Sequence, residues 1–253
     1  MNGARRGVIA ALLGCVTVAA CTEVSTDPQV PVSLQFDSLP ALAVVVGDTM
    51  RDGTLQPARL PVRAFSGNGS TVSDSQLRVL GIDTTSVKAF GLVNGLFLTG
   101  KVVTAAVRIV AQAGGLQSQT QTFAVVAAPT ALTRSAASAS DSIVSLPLDS
   151  VSRFVDTRVR VLRDTTPVNG LRVHFRVAAF PAALLDSVRL VGTDGRNATS
   201  ALMTGGAALI RVKVYPKTGA TGTDSVLLEA SINALGASVP GSPLTFPIRL
   251  TVF

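Results

Sequence analysis

Three segments of this chain alternate between apolar and charged or polar residues, and this period of two constrains the fold more than any other feature. They cover residues 158–161, 172–177 and 210–214. Because successive side chains of a β-strand point to opposite faces, each segment is predicted to be a strand with one buried and one solvent-facing side. Asn-Gly, Asp-Gly and Gly-Gly pairs recur along the chain, and no amphipathic segment of helical length interrupts the series. Many short strands separated by turns predict an all-β fold.

The N-terminus carries a different pattern, in which two arginines precede an uncharged apolar run over residues 8–20. A helix that spans a bilayer needs about 20 residues, so this shorter run predicts a secretory signal peptide. The run ends in the sequence VAAC, which resembles the lipobox of bacterial lipoproteins. The resemblance implies cleavage after Ala20 and acylation of Cys21. An ordinary signal peptide and an uncleaved anchor are the alternatives.

These features predict a signal peptide over residues 1–20, followed by the lipidated Cys21 and a polar tether over residues 21–30. The membrane is therefore one expected partner, reached through the acyl chains on Cys21. Thr22 stands where some bacteria place an aspartate as an inner-membrane retention signal. We therefore expect a lipid-anchored protein of the bacterial cell envelope, at the outer membrane.

Residues 31–253 are long enough for two sandwiches of about 100 residues each, and the break is predicted at residues 127–129. Residues 31–127 resemble the bacterial immunoglobulin-like repeats of intimin-like surface proteins, through VGDT at 46–49 and TSVKAFGLVNG at 85–95. Residues 128–253 resemble the invasin-type relatives, through RVRVLRD at 158–164 and the PVNG turn at 167–170. The resemblance implies two tandem immunoglobulin-like β-sandwiches. The second departs from the pattern in an extra loop around Phe180.

Few side chains capable of catalysis remain once the signal peptide is removed. Cys15 leaves with the signal peptide and Cys21 is acylated, so we expect no thiol nucleophile, disulfide or thiolate metal site. His174 is the single histidine and alternates with apolar neighbours, which places it on the outer face of a strand rather than in a catalytic site. The sequence therefore predicts a protein that is not an enzyme and that has no cofactor.

Several aspartates lie in turns, where a carboxylate can bond nearby backbone N–H groups or bind calcium. No loop supplies several oxygen ligands at regular spacing, so the local role is expected and no metal site is predicted. The residues concerned are Asp48, Asp52, Asp164 and Asp194.

Positive charge is concentrated in residues 128–253, which carry thirteen Lys and Arg against eight Asp and Glu. Four of these cations fall on two segments that pair as neighbouring strands in an immunoglobulin-like sandwich, so we expect them to share an outer face. They are Arg158, Arg160, Arg211 and Lys213. The face is either a docking surface for an anionic envelope polymer or surface protein, or an ordinary solvated strand face. Nucleic acid is not expected, because no basic patch is interleaved with aromatic residues.

The last segment, residues 244–253, alternates like a strand and contains Pro247. Proline cannot donate to a ladder, so a final edge strand is predicted. Taken together, the sequence predicts a non-catalytic cell-envelope lipoprotein that acts as an adhesive, spacer or protein-interaction module. This role is what the resemblance to intimin-like and invasin-type surface proteins implies. The alternative is a periplasm-facing lipoprotein that binds a soluble ligand or supports an envelope complex.

Overall fold

The computed structural model describes Asp27 and residues 29–135, 142–146 and 154–252. Strands make up most of these residues. The described part also contains one α-helix, α1 (Thr84–Ala89), and one turn of 3-10 helix at Asp74–Gln76. The predicted signal peptide, Cys21 and most of the tether lie outside the described residues.

Nine strands form the first sandwich. They are β1 (Pro31–Phe36), β2 (Ala43–Val45), β3 (Val62–Ser66), β4 (Leu77–Gly81), β5 (Phe90–Val93), β6 (Phe97–Gly100), β7 (Thr104–Ala113), β8 (Leu116–Gln117) and β9 (Gln121–Val126). One sheet has the order β2-β9-β7-β4, with β8 added to β7. The pairs β1–β3 and β5–β6 form the opposite layer, and the Leu60 N–H donates to the Leu96 carbonyl (2.8 Å) between them.

Twelve further strands follow in the described residues. They are β10 (Ala131–Arg134), β11 (Ser142–Leu146), β12 (Phe154–Arg163), β13 (Thr166–Pro167), β14 (Arg172–Ala179), β15 (Leu185–Val191), β16 (Ser200–Leu202), β17 (Ala208–Pro216), β18 (Gly222–Ser231), β19 (Asn233–Ala234), β20 (Ala237–Ser238) and β21 (Leu244–Val252). One sheet has the order β10-β12-β17-β15 and the other β11-β21-β18-β14-β16. This division of strands between two sheets is the immunoglobulin arrangement.

The predicted fold class, two tandem immunoglobulin-like sandwiches, is confirmed. Alternation of side chains explains why these segments become strands. Val159 and Val161 of β12 and Ile210 and Val212 of β17 are fully buried between the sheets. The residues that alternate with them are partly exposed. In the first sandwich the rings of Phe90 and Phe123 meet edge to face at 6.1 Å, which is a favoured aromatic geometry.

The prediction that the chain closes on an edge strand is wrong. β21 lies inside its sheet, antiparallel to β18 along its whole length and parallel to β11 on its other side. Pro247 is nevertheless tolerated, because the described pairing with β11 begins only at Arg249. The missing N–H of the proline therefore falls before that ladder starts.

Helix α1 is the second departure from the sequence-based expectation. Its six residues include two threonines, a serine and a valine, which are weak helix formers. The Asp83 carboxylate caps its first turn by accepting the Ser86 N–H (2.8 Å). The Ser86 hydroxyl in turn accepts the Arg108 N–H of β7 (3.0 Å). Contacts with a distant strand thus hold a helix that its own sequence does not favour.

Candidate functional site

The four cations predicted to share a face lie side by side on the second sandwich. Arg158 and Arg160 are on β12, and Arg211 and Lys213 are on β17. The two strands pair antiparallel, with Asp156 opposite Arg211 and Arg158 opposite Leu209. Because residues two apart point the same way, this register puts all four cations on the outer side of the sheet.

Asp156 sits among these cations and was not singled out from the sequence. Its carboxylate lies 3.4 Å from Arg158 Nη2 and 3.3 Å from Arg211 Nε. Ion pairs at a protein surface contribute about 0–1 kcal/mol each, so their main effect is to hold the two guanidinium groups against the strands. The sequence does indicate this position, because Asp156 lies two residues before Arg158 and therefore on the same face of the strand.

A fifth cation, Arg189, joins the face from β15. It lies opposite Lys213 of β17. The Arg189 guanidinium carbon and the Lys213 ammonium nitrogen are each 5.1 Å from the centre of the Tyr215 ring. Both distances fall in the range of cation–π contacts. The tyrosine therefore positions two cations, a role that its sequence position alone did not indicate.

We call this surface the cationic face. It consists of Arg158, Arg160, Arg189, Arg211 and Lys213 with Asp156 and Tyr215. Residues 154–252 carry eleven Lys and Arg against six Asp and Glu. Five of these eleven cations lie on the cationic face, together with one of the six carboxylates. Asp186 lies beside its rim, in a bulge of β15. In the described part of this sandwich, positive charge is thus concentrated on one face.

The two sandwiches meet in a hydrogen-bonded contact that we call the junction. It joins the first sandwich near residues 40–55 to β14, Gly170 and the β19–β20 hairpin. The Leu42 N–H donates to the Gly170 carbonyl (2.9 Å), and Arg172 Nε donates to the Pro40 carbonyl (2.7 Å). Ala43 and Val45 are buried in the same apolar cluster as the core of the second sandwich. Two residues of β2 therefore pack into the core of the second sandwich, while the rest of the first sandwich has an apolar cluster of its own.

Asp48 is the one buried carboxylate in the described residues, with 8% of its surface exposed. It accepts from Arg51 Nη2 (2.9 Å) and Nε (3.1 Å) and from the Thr49 N–H (2.8 Å). Its Oδ2 also accepts the Leu235 N–H of the second sandwich (2.8 Å). One side chain therefore links a turn in each sandwich.

His174 and Arg172 complete the junction from β14. His174 is on the outer face of its strand, as predicted, but Nδ1 lies 2.8 Å from the Gly53 carbonyl of the first sandwich. Burial lowers the pKa of the Arg172 guanidinium, and the nearby charge of Asp52 partly offsets this effect. The histidine is thus part of a contact between sandwiches, with no second histidine in the chain to act beside it.

Asp52 and Asp194 behave as the local hydrogen-bond acceptors that their turns predict, whereas for Asp48 the prediction of a purely local role is wrong, because its carboxylate also accepts the Leu235 N–H. Asp52 Oδ1 accepts the N–H groups of Thr54 and Gln56, and Asp194 Oδ1 accepts the N–H of Arg196. Across residues 29–135, 142–146 and 154–252, no three His, Cys, Asp or Glu side chains are grouped as a metal site would require. In the same ranges no helix is long and apolar enough to cross a membrane.

An open groove of about 450 Å³ lies between β14 and β15, where the two sheets of the second sandwich diverge. Phe175, Val177 and Leu190 form its apolar floor, and Arg176 and Asn197 lie among its polar lining residues. The Arg176 guanidinium is held by Glu229 of β18, with Nε 2.7 Å from Oε2. Five of its ten lining residues are polar or charged, and the groove is open to solvent.

The sequence matches no protein-family model and no curated protein. Solved structures with a similar arrangement include the D00-D0 domain of intimin, at 12% identity and a TM-score of 0.31, covering 87% of this chain and 98% of that one. The adhesin InvE of Yersinia pseudotuberculosis is 14% identical with a TM-score of 0.34, covering 87% and 58%. Domains 4–9 of the surface-layer protein SbsC are 11% identical with a TM-score of 0.29, covering 87% and 30%. The chain thus spans less than two thirds of the InvE and SbsC structures.

Proposed function

We propose that this protein is a non-catalytic module of the bacterial cell envelope, held at the outer membrane by acylated Cys21. Its two sandwiches act as one rigid unit that serves adhesion, spacing or protein interaction. The observation that carries the proposal is the junction, where Asp48, Arg172 and Gly170 join the sandwiches through side-chain and backbone hydrogen bonds. A flexible pair of domains would need no such contact.

The polar tether and the junction have complementary mechanical roles in this proposal. The segment 21–30 contains few apolar residues and spans about 30 Å when extended. It lets the folded part pivot at the membrane, while the junction stops the two sandwiches from bending against each other. The cationic face is then presented at a fixed position on the outer sandwich.

The alternative, a periplasm-facing lipoprotein that binds a soluble ligand, is favoured by one observation. The groove between β14 and β15 offers an apolar floor with Arg176 and Asn197 among its lining residues. The same lipid anchor and rigid junction would serve this role equally well. The side of the membrane on which the sandwiches lie therefore separates the two functions.

The experiment is protease treatment of intact and lysed cells that produce the full-length protein or Cys21→Ala. We expect the wild-type protein to carry an acyl label, to stay in the membrane fraction, and to be cut on intact cells. Cys21→Ala is expected to lose the label and to remain uncleaved at this site, because only the thiol can form the thioether. Unchanged processing and membrane extraction of Cys21→Ala would contradict the anchor, and cleavage only after lysis would favour the periplasmic alternative.

A further inference from the structure

We propose that the cationic face binds a linear anionic polysaccharide of the cell envelope. This inference deepens the proposed function and rests on it, because it names the class of partner that an envelope-exposed face would meet. It is carried by the register of three neighbouring strands, by four contacts that hold four of the five cations in place, and by the concentration of positive charge on this face of the sandwich.

The cations form a diagonal row across the sheet. The row begins at Arg160 and Arg158 on β12, passes through Arg211 and Lys213 on β17, and ends at Arg189 on β15. Residues on one face of a strand are about 7 Å apart and neighbouring strands about 4.8 Å apart, so the row extends over about 20 Å. Several charged groups of an extended polymer can therefore contact it at once.

The row is positioned before any partner binds. Asp156 contacts two of the guanidinium groups, and the Tyr215 ring lies 5.1 Å from each of the Arg189 and Lys213 cations. Ordering a long side chain on binding costs about 0.5–1.5 kcal/mol, and these contacts reduce that cost. Arginine also presents a planar fork that matches carboxylate, sulfate and phosphate groups. The face is thus suited to repeated anionic groups.

The shape and composition of the face favour a linear polyanion over other partners. It is an open sheet surface on whose two central strands Leu162 and Leu209 are partly buried, and Phe154 lies opposite Lys213 at the first position of β12. A protein interface has an apolar centre, whereas Asp156 and Arg211 form the central pair of the register between β12 and β17 on this surface. Binding of bases needs free aromatic platforms, whereas the Tyr215 ring already contacts two cations. A polysaccharide with spaced carboxylates or phosphates needs only the row of cations.

The test measures binding of full-length protein, solubilised in detergent, to polygalacturonate as a carboxylate polysaccharide and to neutral dextran. A triple variant, Arg160→Gln with Arg189→Gln and Lys213→Gln, removes three cations from the face but leaves the Asp156 contacts in place. Its matched control removes three exposed cations elsewhere on the same sandwich, through Arg163→Gln, Arg196→Gln and Arg249→Gln. Both variants change the net charge equally.

We expect the face variant to bind polygalacturonate about tenfold more weakly at low salt, because each exposed ion pair contributes a factor of roughly two to five. The control should bind like the wild type, and neutral dextran should not bind. Equal weakening by both variants, or no weakening by either, would overturn the proposal. So would a face variant that loses binding to anionic lipid vesicles alone. A protein that binds polygalacturonate through this face but is not membrane-anchored would contradict the proposed function only.

Discussion

At the scale of single residues, Asp48 stands out because it is the one carboxylate buried in the described part of the chain. A buried carboxylate is unfavourable unless hydrogen bonds replace the water that it loses. Arg51, the Thr49 N–H and the Leu235 N–H supply those bonds. The last of these comes from the other sandwich, so the carboxylate has its full set of hydrogen bonds only when the sandwiches are joined.

Asp48→Ala is expected to lower the free energy of unfolding by about 3 kcal/mol, because it leaves a partly buried arginine and two N–H groups without their acceptor. Urea unfolding followed by circular dichroism measures this change. The loop over residues 47–56 should also become more sensitive to limited proteolysis, since it loses its bond to Leu235.

Asp194→Ala is the matched control, because Asp194 is also a turn aspartate but is exposed, and in the described residues its carboxylate accepts only the N–H of Arg196. We expect it to lower the free energy of unfolding by about 1 kcal/mol or less, as for an exposed turn residue. Equal effects of the two substitutions would show that Asp48 does not link the sandwiches.

At the scale of elements, strands were predictable and the helix was not. Alternation of apolar and polar residues identified β12, β14 and β17. Each of these strands buries one face only, so its apolar residues alternate in the sequence as its buried side chains do in the structure. Helix α1 has no such pattern, and it depends on the Asp83 cap and on the bond from Ser86 to β7. The inner position of β21 was missed for a related reason, since its neighbour β11 comes from a distant part of the chain.

The cap of α1 makes a prediction for pH dependence. The Ser86 N–H and, next, the Arg108 guanidinium lower the pKa of Asp83 from 3.8 to about 2. A carboxylate with a lowered pKa stabilises the folded state above its unfolded pKa, and this contribution is lost as the pH falls from about 4 toward 2.

Asp83→Asn keeps an acceptor for the cap but removes the charge. We expect the urea midpoint of the variant to lie below that of the wild type at pH 7, and the two midpoints to converge near pH 2. Asp164→Asn, which removes one negative charge from a turn of the second sandwich, controls for the change in net charge. A constant difference between Asp83→Asn and wild type at every pH would contradict a role for the ionised cap.

At the scale of the whole molecule, the sequence predicted one part of the candidate site and not the other. The cationic face follows from strand alternation and the immunoglobulin strand order, so four of its five cations could be placed together in advance. The junction could not be predicted, because it depends on contacts between residues far apart in sequence, such as Asp48 with Leu235. Asp48 and Gly170 had been identified only as turn residues, which is what their local sequence indicates.

The junction leads to a prediction for the unfolding of the whole protein. Gly170 has a φ of +83°, and a Cβ at this position would lie 2.8 Å from the Ala43 Cβ and 2.9 Å from the Leu42 carbonyl carbon. Gly170→Ala must therefore push the sandwiches apart. Because Ala43 and Val45 of the first sandwich pack into the core of the second, we expect the wild type to unfold in one calorimetric transition and Gly170→Ala to unfold in two.

Gly195→Ala separates this effect from the strain of the turn itself. Gly195 has a nearly equal φ of +80°, but a Cβ there would meet nothing within 4 Å. Both substitutions place alanine in the left-handed region and lose a similar amount of stability locally, so only the contact with the first sandwich differs. Gly195→Ala should lower the melting temperature and keep a single transition. Two transitions in the wild type would contradict the rigid unit, whereas a single transition in Gly170→Ala, or a split one in Gly195→Ala, would show that the contact at Gly170 is not what couples the sandwiches.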